Sequence, residues 1–520
     1  MKNKKVEVLV ILLVIVVQTF IYIVCGVNKS YIHMDEAYSL GLASYDKVEI
    51  QDNEDFYNTW HNKEYYEDYL SIGEEEKGKY NQVYENQKND VHPPLYYLLL
   101  RFAMGFSPNH FSKWCGIILN IIIYSVITII AYKIIKELLK NEKYVKEKSI
   151  ILATISSITM ASLTNVIYIR MYALATLNIL ITTYLHIKLY KAKSIDLKLL
   201  LCISICTLLG VLTHYYYIFY IAMLYLIFGV KYIKNKEYKA LAYYTTSMLG
   251  AGIISLIIFP YMIKHMFFGY RGQGVISNLT NIPKFIGSIT QYLVKINFFA
   301  FNNLLFVIII GIIIYKIYKK KIFSIENKEE GELFKIIWLP TIFYFVIVAI
   351  ASPWIELRYM MPICGLLFII VIYYLYKTLK NQKYRDVIIA MLLIITLKSP
   401  TFFKIEPEVM YRDKKEIVQK LENEWNVPTI YVFNSQNNRF LDDILLFSKI
   451  NESYIAKDIQ IIEENIKTIF ENKETSKGII VFINEGQDND IIIETIKRAI
   501  NLHKSSYIKR LNACDVYIIN

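Results

Sequence analysis

Two short stretches near the start of the chain carry side chains able to do chemistry. His33-Met34-Asp35-Glu36-Ala37-Tyr38 sets two carboxylates side by side. Asp90-Val91-His92-Pro93-Pro94-Leu95-Tyr96-Tyr97 sets an imidazole ahead of two prolines, which fix the backbone and aim the ring. A carboxylate can take the proton from a hydroxyl, and burial or a nearby cation tunes it for that task. Three arginines stand beside aromatic or glycine residues: Arg170 between Tyr168 and Tyr172, Arg358 before Tyr359, and Arg271 before Gly272. The planar guanidinium fork suits two phosphate oxygens at once. His214 opens the run Tyr215-Tyr216-Tyr217, whose rings can stack on a sugar. Bases, cations and flat rings together fit proton removal from a hydroxyl next to an anionic group.

Each residue also has a plainer role open to it. Asp35 or Ser30 can cap a helix. Arg170, Arg358 and Arg271 can pair with Asp35 or Glu36, and Arg101, in the helix after the prolines, faces the same choice. Tyrosines at a membrane interface need no ligand. His33, Asp35 and His92 lack the compact spacing of a metal site. No metal ligand is therefore assigned, no cofactor is firmly expected, and a divalent metal is disfavoured. The six cysteines are scattered without a CxxC pair and imply no disulfide framework.

The elements that must position these residues are apolar blocks. Of the 520 residues, 55% are hydrophobic, and the mean hydropathy is +0.32. The blocks run about 15–25 residues, the length needed to cross roughly 30 Å of hydrocarbon. The fold class is a polytopic α-helical membrane protein. The first block follows Lys2, Lys4 and Lys5 and reads as an uncleaved span rather than a signal peptide. About eleven spans are expected, near 6–27, 113–135, 150–168, 171–188, 198–213, 215–231, 240–262, 303–317, 335–352, 359–377 and 386–398. Residues 93–106 and 286–302 read as interfacial segments.

The net charge of +12 invites a nucleic-acid partner, but its distribution argues against one. Lysines gather in short loops between apolar blocks, the positive-inside pattern. That pattern puts the N-terminus in the cytoplasm of a multi-pass plasma-membrane protein. The loop 28–92 holds 15 acidic and 6 basic side chains and belongs outside. Every conspicuous polar residue falls at an outer span end, so a site there must use a substrate delivered without cytoplasmic nucleotides. Past residue 400 the texture changes. Thr429–Phe433, Gly478–Ile483 and Val516–Ile519 read as strands, and Asp458–Phe470 and Asp490–Asn501 as helices. The expected division is a membrane domain over 1–399, including the outer loop, and a small extracytoplasmic α/β domain over 400–520. Asn434, Asp442 and Asp443 of that domain read as caps and surface.

The ordered set Met34-Asp35-Glu36-Ala37-Tyr38, His92-Pro93-Pro94-Leu95-Tyr96-Tyr97, Arg170-Met171-Tyr172-Ala173-Leu174 and Arg358-Tyr359-Met360-Met361-Pro362 resembles the bacterial GT-C membrane glycosyltransferases. The branch it is most similar to is the protein O-mannosyltransferase and aminoarabinose transferase type. The resemblance covers about residues 1–400. It implies a sugar transferred from a polyprenyl-phosphate donor to an acceptor hydroxyl at the outer face, with inversion. It places the catalytic base on Asp35 and gives Glu36 the holding of acceptor or base. The departing phosphate needs cations, for which Arg170, Arg271, Lys264 and Arg358 qualify. His92, Tyr96, Tyr172, His214 and Tyr359 complete the expected substrate-binding set. The acceptor is a cell-surface glycan, lipid or protein, and the remaining partners are membrane lipids. The first loop is longer and more acidic than the motif requires, and Glu74-Glu75-Glu76 reads as a solvated face.

Two other functions compete. A transporter or flippase of lipid-linked sugars would carry charges near the membrane midplane and broken helices in both halves. Here the charges gather at one face. A ligase or polymerase of cell-surface glycans would place its arginines and histidine in a large late outer loop, whereas here the first loop is the long one.

Overall fold

A computed structural model describes residues 2–45, 50, 54–192, 194–268, 282–319, 328–380, 382–422, 426–433, 439–457 and 459–520. Contacts divide the chain into two compact units. The first unit holds Met1–Gly26, Asp90–Tyr96 and Ile117–Glu408; the second holds Val27–Asn89, Tyr97–Gly116 and Val409–Asn520.

The first unit is helical. Six helices among the described residues are long and apolar enough to cross a bilayer: Lys4–Asn28, Lys113–Leu138, Tyr217–Lys234, Tyr238–Ile258, Lys328–Ala351 and Met361–Thr378. A seventh is reached if Val145–Ser157 and Met160–Ile167, bent by 58°, form one span. Leu197–Val211 and Leu305–Tyr318 are apolar but shorter. Leu9, Leu13 and Val16 on the first helix are each more than 60% exposed. Apolar surface on that scale requires lipid to cover it, and the chain is a multi-pass membrane protein. Among the described residues this criterion does not confirm the count of about eleven spans.

The bend has a local cause. Thr159 caps the second helix by accepting the Ser162 amide at 3.3 Å. Ser162 Oγ in turn donates to the Ser156 carbonyl at 2.8 Å. Hydroxyls thus take up backbone groups that a continuous helix would have paired. Polar contacts also tie helices together within this unit. Gln18 Nε2 donates to Thr128 Oγ1 at 2.9 Å, and the Tyr22 hydroxyl donates to the Ser157 carbonyl at 2.8 Å.

The second unit is built on a six-stranded sheet. Its strands are β1 (Trp60–Asn62), β2 (Thr429–Val432), β3 (Glu452–Ala456), β4 (Ile479–Asn484), β5 (Ser505–Leu511) and β6 (Cys514–Ile519), in the order β1-β3-β2-β4-β6-β5. β2 runs parallel to β3 and β4; the other pairs are antiparallel. Every residue of β2 and β4 is buried, as central strands covered on both faces should be. The helices Ile459–Phe470 and Asn489–Ile500 bring Ile462, Ile466, Ile492 and Ile496 to that core. The edge strand β1 comes from the polar loop, so that loop supplies part of the sheet.

The reading of Asp442 and Asp443 as surface is corrected: both are buried. Asp442 pairs with Arg439 at 2.7 Å, and Asp443 accepts from Asn512 Nδ2 at 2.6 Å. Asn434 lies outside the described residues.

Candidate active site

Asp35 and Glu36 open the helix Met34–Ser44 in the second unit. The helix start is a capping box. His33, rather than Asp35 or Ser30, is the N-cap, and its Nδ1 accepts the Asp35 amide at 3.0 Å. Glu36 occupies the third helical position, and its Oε2 accepts the His33 amide at 2.8 Å. The same carboxylate receives Lys29 Nζ on both oxygens, at 2.9 and 2.8 Å, with both side chains fully buried. Lys29 is itself anchored by the Val409 carbonyl at 3.2 Å. Two neighbouring acids therefore have different surroundings. Glu36 is enclosed and bonded to Lys29, while the Asp35 side chain keeps 16% of its surface exposed and lies 3.5 Å from His33 Nδ1.

Arg101, also in this unit, is buried and donates to the carbonyls of Ala43 at 2.7 Å and Glu76 at 2.9 Å. It ties the end of the Met34–Ser44 helix to the Glu74–Glu76 turn, and its backbone contacts are those of a structural cation.

In the first unit a second group of the expected residues comes together. His92 Nδ1 lies 2.7 Å from Asp90 Oδ2, and His92 Nε2 lies 3.4 Å from Arg170 Nη2. Arg170 can only donate, so Nε2 accepts and the ring proton sits on Nδ1, facing Asp90. Burial acts to raise the Asp90 pKa, but His92 and then Arg170 outweigh it and hold the carboxyl down at about 2. Arg170 sits in the turn between the Met160–Ile167 and Tyr172–Lys191 helices and is 4% exposed. On the same turn Tyr168 and Tyr172 stack at 6.1 Å with planes 4° apart.

The cluster continues through rings. Arg358 Nη1 donates to the Tyr168 hydroxyl at 3.2 Å and lies 5.4 Å from the Tyr359 ring centre. Tyr172 packs on His214 at 5.5 Å and edge-on to Tyr359 at 6.4 Å. Tyr216 closes the circuit, 5.0 Å from His214 and 5.9 Å from Tyr359. Apart from Tyr172, which opens its helix, these side chains are presented by helix-joining turns: 168–171, 212–216 and the Leu357–Tyr359 turn. The Leu95 amide bonds the Leu212 carbonyl at 3.1 Å and fixes the end of the His92 stretch against one of them.

His92, Arg170, Tyr172, His214, Arg358 and Tyr359, all expected from the sequence, thus form one connected group. Tyr96 is fully buried. Arg271 lies outside the described residues. Lys264 begins a short π-helical turn, Lys264–Phe268, whose His265 pairs with the Tyr215 hydroxyl at 2.9 Å. Two contributors were not singled out from the sequence: Asp90, and Tyr168 as a partner of Arg358. Asp90 had a signal, since an Asp two residues before a His can bond both its amide and its ring, and here the His92 amide does bond Asp90 Oδ2 at 3.1 Å. Among the described residues, no group of three or more His, Cys, Asp or Glu could hold a metal ion.

No family model matches the chain, and no curated protein matches it. Solved structures similar to it include two of ArnT from Cupriavidus metallidurans. The one bound to undecaprenyl phosphate has a TM-score of 0.48 and 8% identity, over 98% of this chain and 97% of that chain. The one in the apo state has the same TM-score and identity, over 99% of this chain and 98% of that chain.

Proposed function

We propose that this protein is an integral-membrane glycosyltransferase that moves a sugar from a polyprenyl-phosphate donor to an acceptor hydroxyl at the outer membrane face, with inversion. Asp35 takes the acceptor proton as the hydroxyl oxygen attacks the anomeric carbon. The bond from that carbon to the phosphate oxygen breaks, and the phosphate leaves on its lipid. Arg170 and Arg358 neutralise the charge that gathers on the leaving phosphate, and His92 orients Arg170. Tyr172, His214 and Tyr359 offer rings for the sugar. Glu36 holds the base by fixing the start of its helix. The C-terminal domain lies on the outer side in this reading.

The observation that supports it is the connected group around Arg170 and Arg358. Residues from four distant parts of the sequence meet there, and they combine guanidinium cations with flat rings, the chemistry a phosphate-linked sugar needs. The different surroundings of Asp35 and Glu36 add to it, because a general base must stay accessible while its neighbour need not.

The test is sugar transfer in membranes supplied with a panel of polyprenyl-phosphate sugars, comparing wild type with Asp35→Asn at equal protein levels. A general base contributes about 10²–10⁴-fold, and the variant should lose transfer by that factor while still binding donor. Equal transfer by both proteins would remove Asp35 from the chemistry. No transfer by either, with lipid-linked sugar still crossing the bilayer, would replace the transferase reading by a transporter.

A further inference from the structure

The Tyr172–Lys191 helix carries the Arg170 turn at one end. At its other end, about 30 Å away for 20 residues at 1.5 Å each, the first unit contains a cavity of about 520 Å³. The end of this helix, the start of Leu197–Val211, the end of Tyr217–Lys234 and the start of Tyr238–Ile258 border it. Lys231, Lys236 and Lys239 line it, together with Tyr232 and Tyr238.

Several lysines at helix ends elsewhere in this unit are neutralised. Glu7 holds Lys136 and Lys146, Glu137 holds Lys188 and Lys191, and Glu330 holds Lys377. Among the described residues no carboxylate lies within ion-pair distance of Lys231, Lys236 or Lys239, although Glu237 and Glu332 act on Lys231 from further away. Glu237 lines the same cavity, but its carboxylate accepts from Asn235 Nδ2 at 3.0 Å instead. The Lys231 ammonium is steered by rings, 4.5 Å from the centre of Tyr190 and 5.8 Å from that of Tyr232. The first residues of the Tyr238–Ile258 helix, Tyr238 to Ala240, also line the cavity, and no side chain caps their amides. Three ammonium groups and an uncapped helix start therefore converge on one space whose lining holds a single carboxylate, Glu237, so positive charge is in excess there.

We propose that this cavity binds the phosphate headgroup of an anionic lipid, with Lys231, Lys236 and Lys239 as its counter-charges. The lipid source is favoured by what lies beside the cavity. Leu197 and Leu201 on one bordering helix, and Leu226 and Ile233 on another, are each more than half exposed. They offer an apolar track for acyl chains. The lysine pattern puts this end of the helices on the cytoplasmic side, where anionic headgroups attract basic pockets between spans.

The test uses the full-length protein in detergent, titrated separately with phosphatidylglycerol, phosphatidylcholine and inorganic phosphate, with binding read by native mass spectrometry and by the thermal midpoint. Phosphatidylglycerol should bind and raise the midpoint, and phosphatidylcholine should not. Lys231→Gln/Lys236→Gln/Lys239→Gln should weaken phosphatidylglycerol about a hundredfold. Lys236 and Lys239 are exposed, so the double variant Lys236→Gln/Lys239→Gln keeps the fold and should weaken it about thirtyfold. Equal binding of both lipids, or unchanged binding by either variant, overturns the proposal. An equal rise with inorganic phosphate alone assigns the cavity to a free anion and overturns the lipid assignment. The readout needs no sugar transfer, so it stands whether or not the transferase reading does.

Discussion

Asp90 is the residue whose importance follows from geometry rather than from motif. Its carboxylate accepts a hydrogen bond from the protonated Nδ1 of His92 and leaves Nε2 as an acceptor toward Arg170. Removing the charge removes the reason for that tautomer, because an amide at this position can donate as well as accept. A charge-assisted hydrogen bond is worth about 1.5–3 kcal/mol, which corresponds to about ten- to hundredfold in rate. Asp90→Asn should therefore lower transfer from a polyprenyl-phosphate sugar by that factor, and Asp90→Glu should restore part of it. The effect should be flat with pH across the neutral range. With its pKa depressed to about 2, the carboxylate stays ionised from mildly acidic pH upward, and its contribution fades only as pH falls toward 2. A variant with wild-type transfer would show that His92 needs no orienting partner.

At the scale of an element, the helix Met34–Ser44 is held from several sides within its unit. Lys29 and the capping box fix its start, and Arg101 fixes its end through the Ala43 carbonyl. Gly41 allows Tyr69 to lie against its middle, since an added Cβ would come within 2.2 Å of Tyr69 Cζ. The Lys29–Glu36 pair is fully buried, and breaking a buried pair costs about 3–5 kcal/mol because the surviving charge is left without compensation. Lys29→Met should lower the thermal midpoint sharply. Lys29→Met/Glu36→Leu should recover most of the loss, short of the cap, worth about 0.5–2 kcal/mol. If the double variant melts no higher than the single one, Glu36 does more than answer Lys29. The sequence singles out this acidic pair but not how the surroundings of its two members differ, because the partner that separates the two acids is a lysine seven residues back with no periodic link to them.

At the scale of the whole molecule, what was legible depended on how regular the burial is. The continuous apolar runs of β2 and β4 and the periodic faces of Ile459–Phe470 and Asn489–Ile500 stood out because both faces, or one whole stripe, are buried. β1 did not, because Trp60-His61-Asn62 is too short to alternate, and β5 did not, because an edge strand reading Ser-Ser-Tyr-Ile-Lys-Arg-Leu looks like surface. Asp443 was misread for a related reason: beside Asp442 it looked solvated, whereas the fold encloses it. Burial, then the charge of Asp442, pushes the Asp443 carboxyl up to about 8, against Lys414 and Arg439. A carboxyl raised above its unfolded value binds its proton more tightly in the folded state. Its contribution to stability is therefore fully present below the ordinary carboxylate range, near 4, and is lost as pH rises from there through about 8. Asp443→Asn keeps the shape and an acceptor for Asn512 but cannot ionise. The variant should melt close to wild type at pH 4 and clearly above it at pH 8, with the gap opening steadily between. Parallel melting curves across that range would mean that the second unit holds Asp443 ionised and has paired it with Lys414.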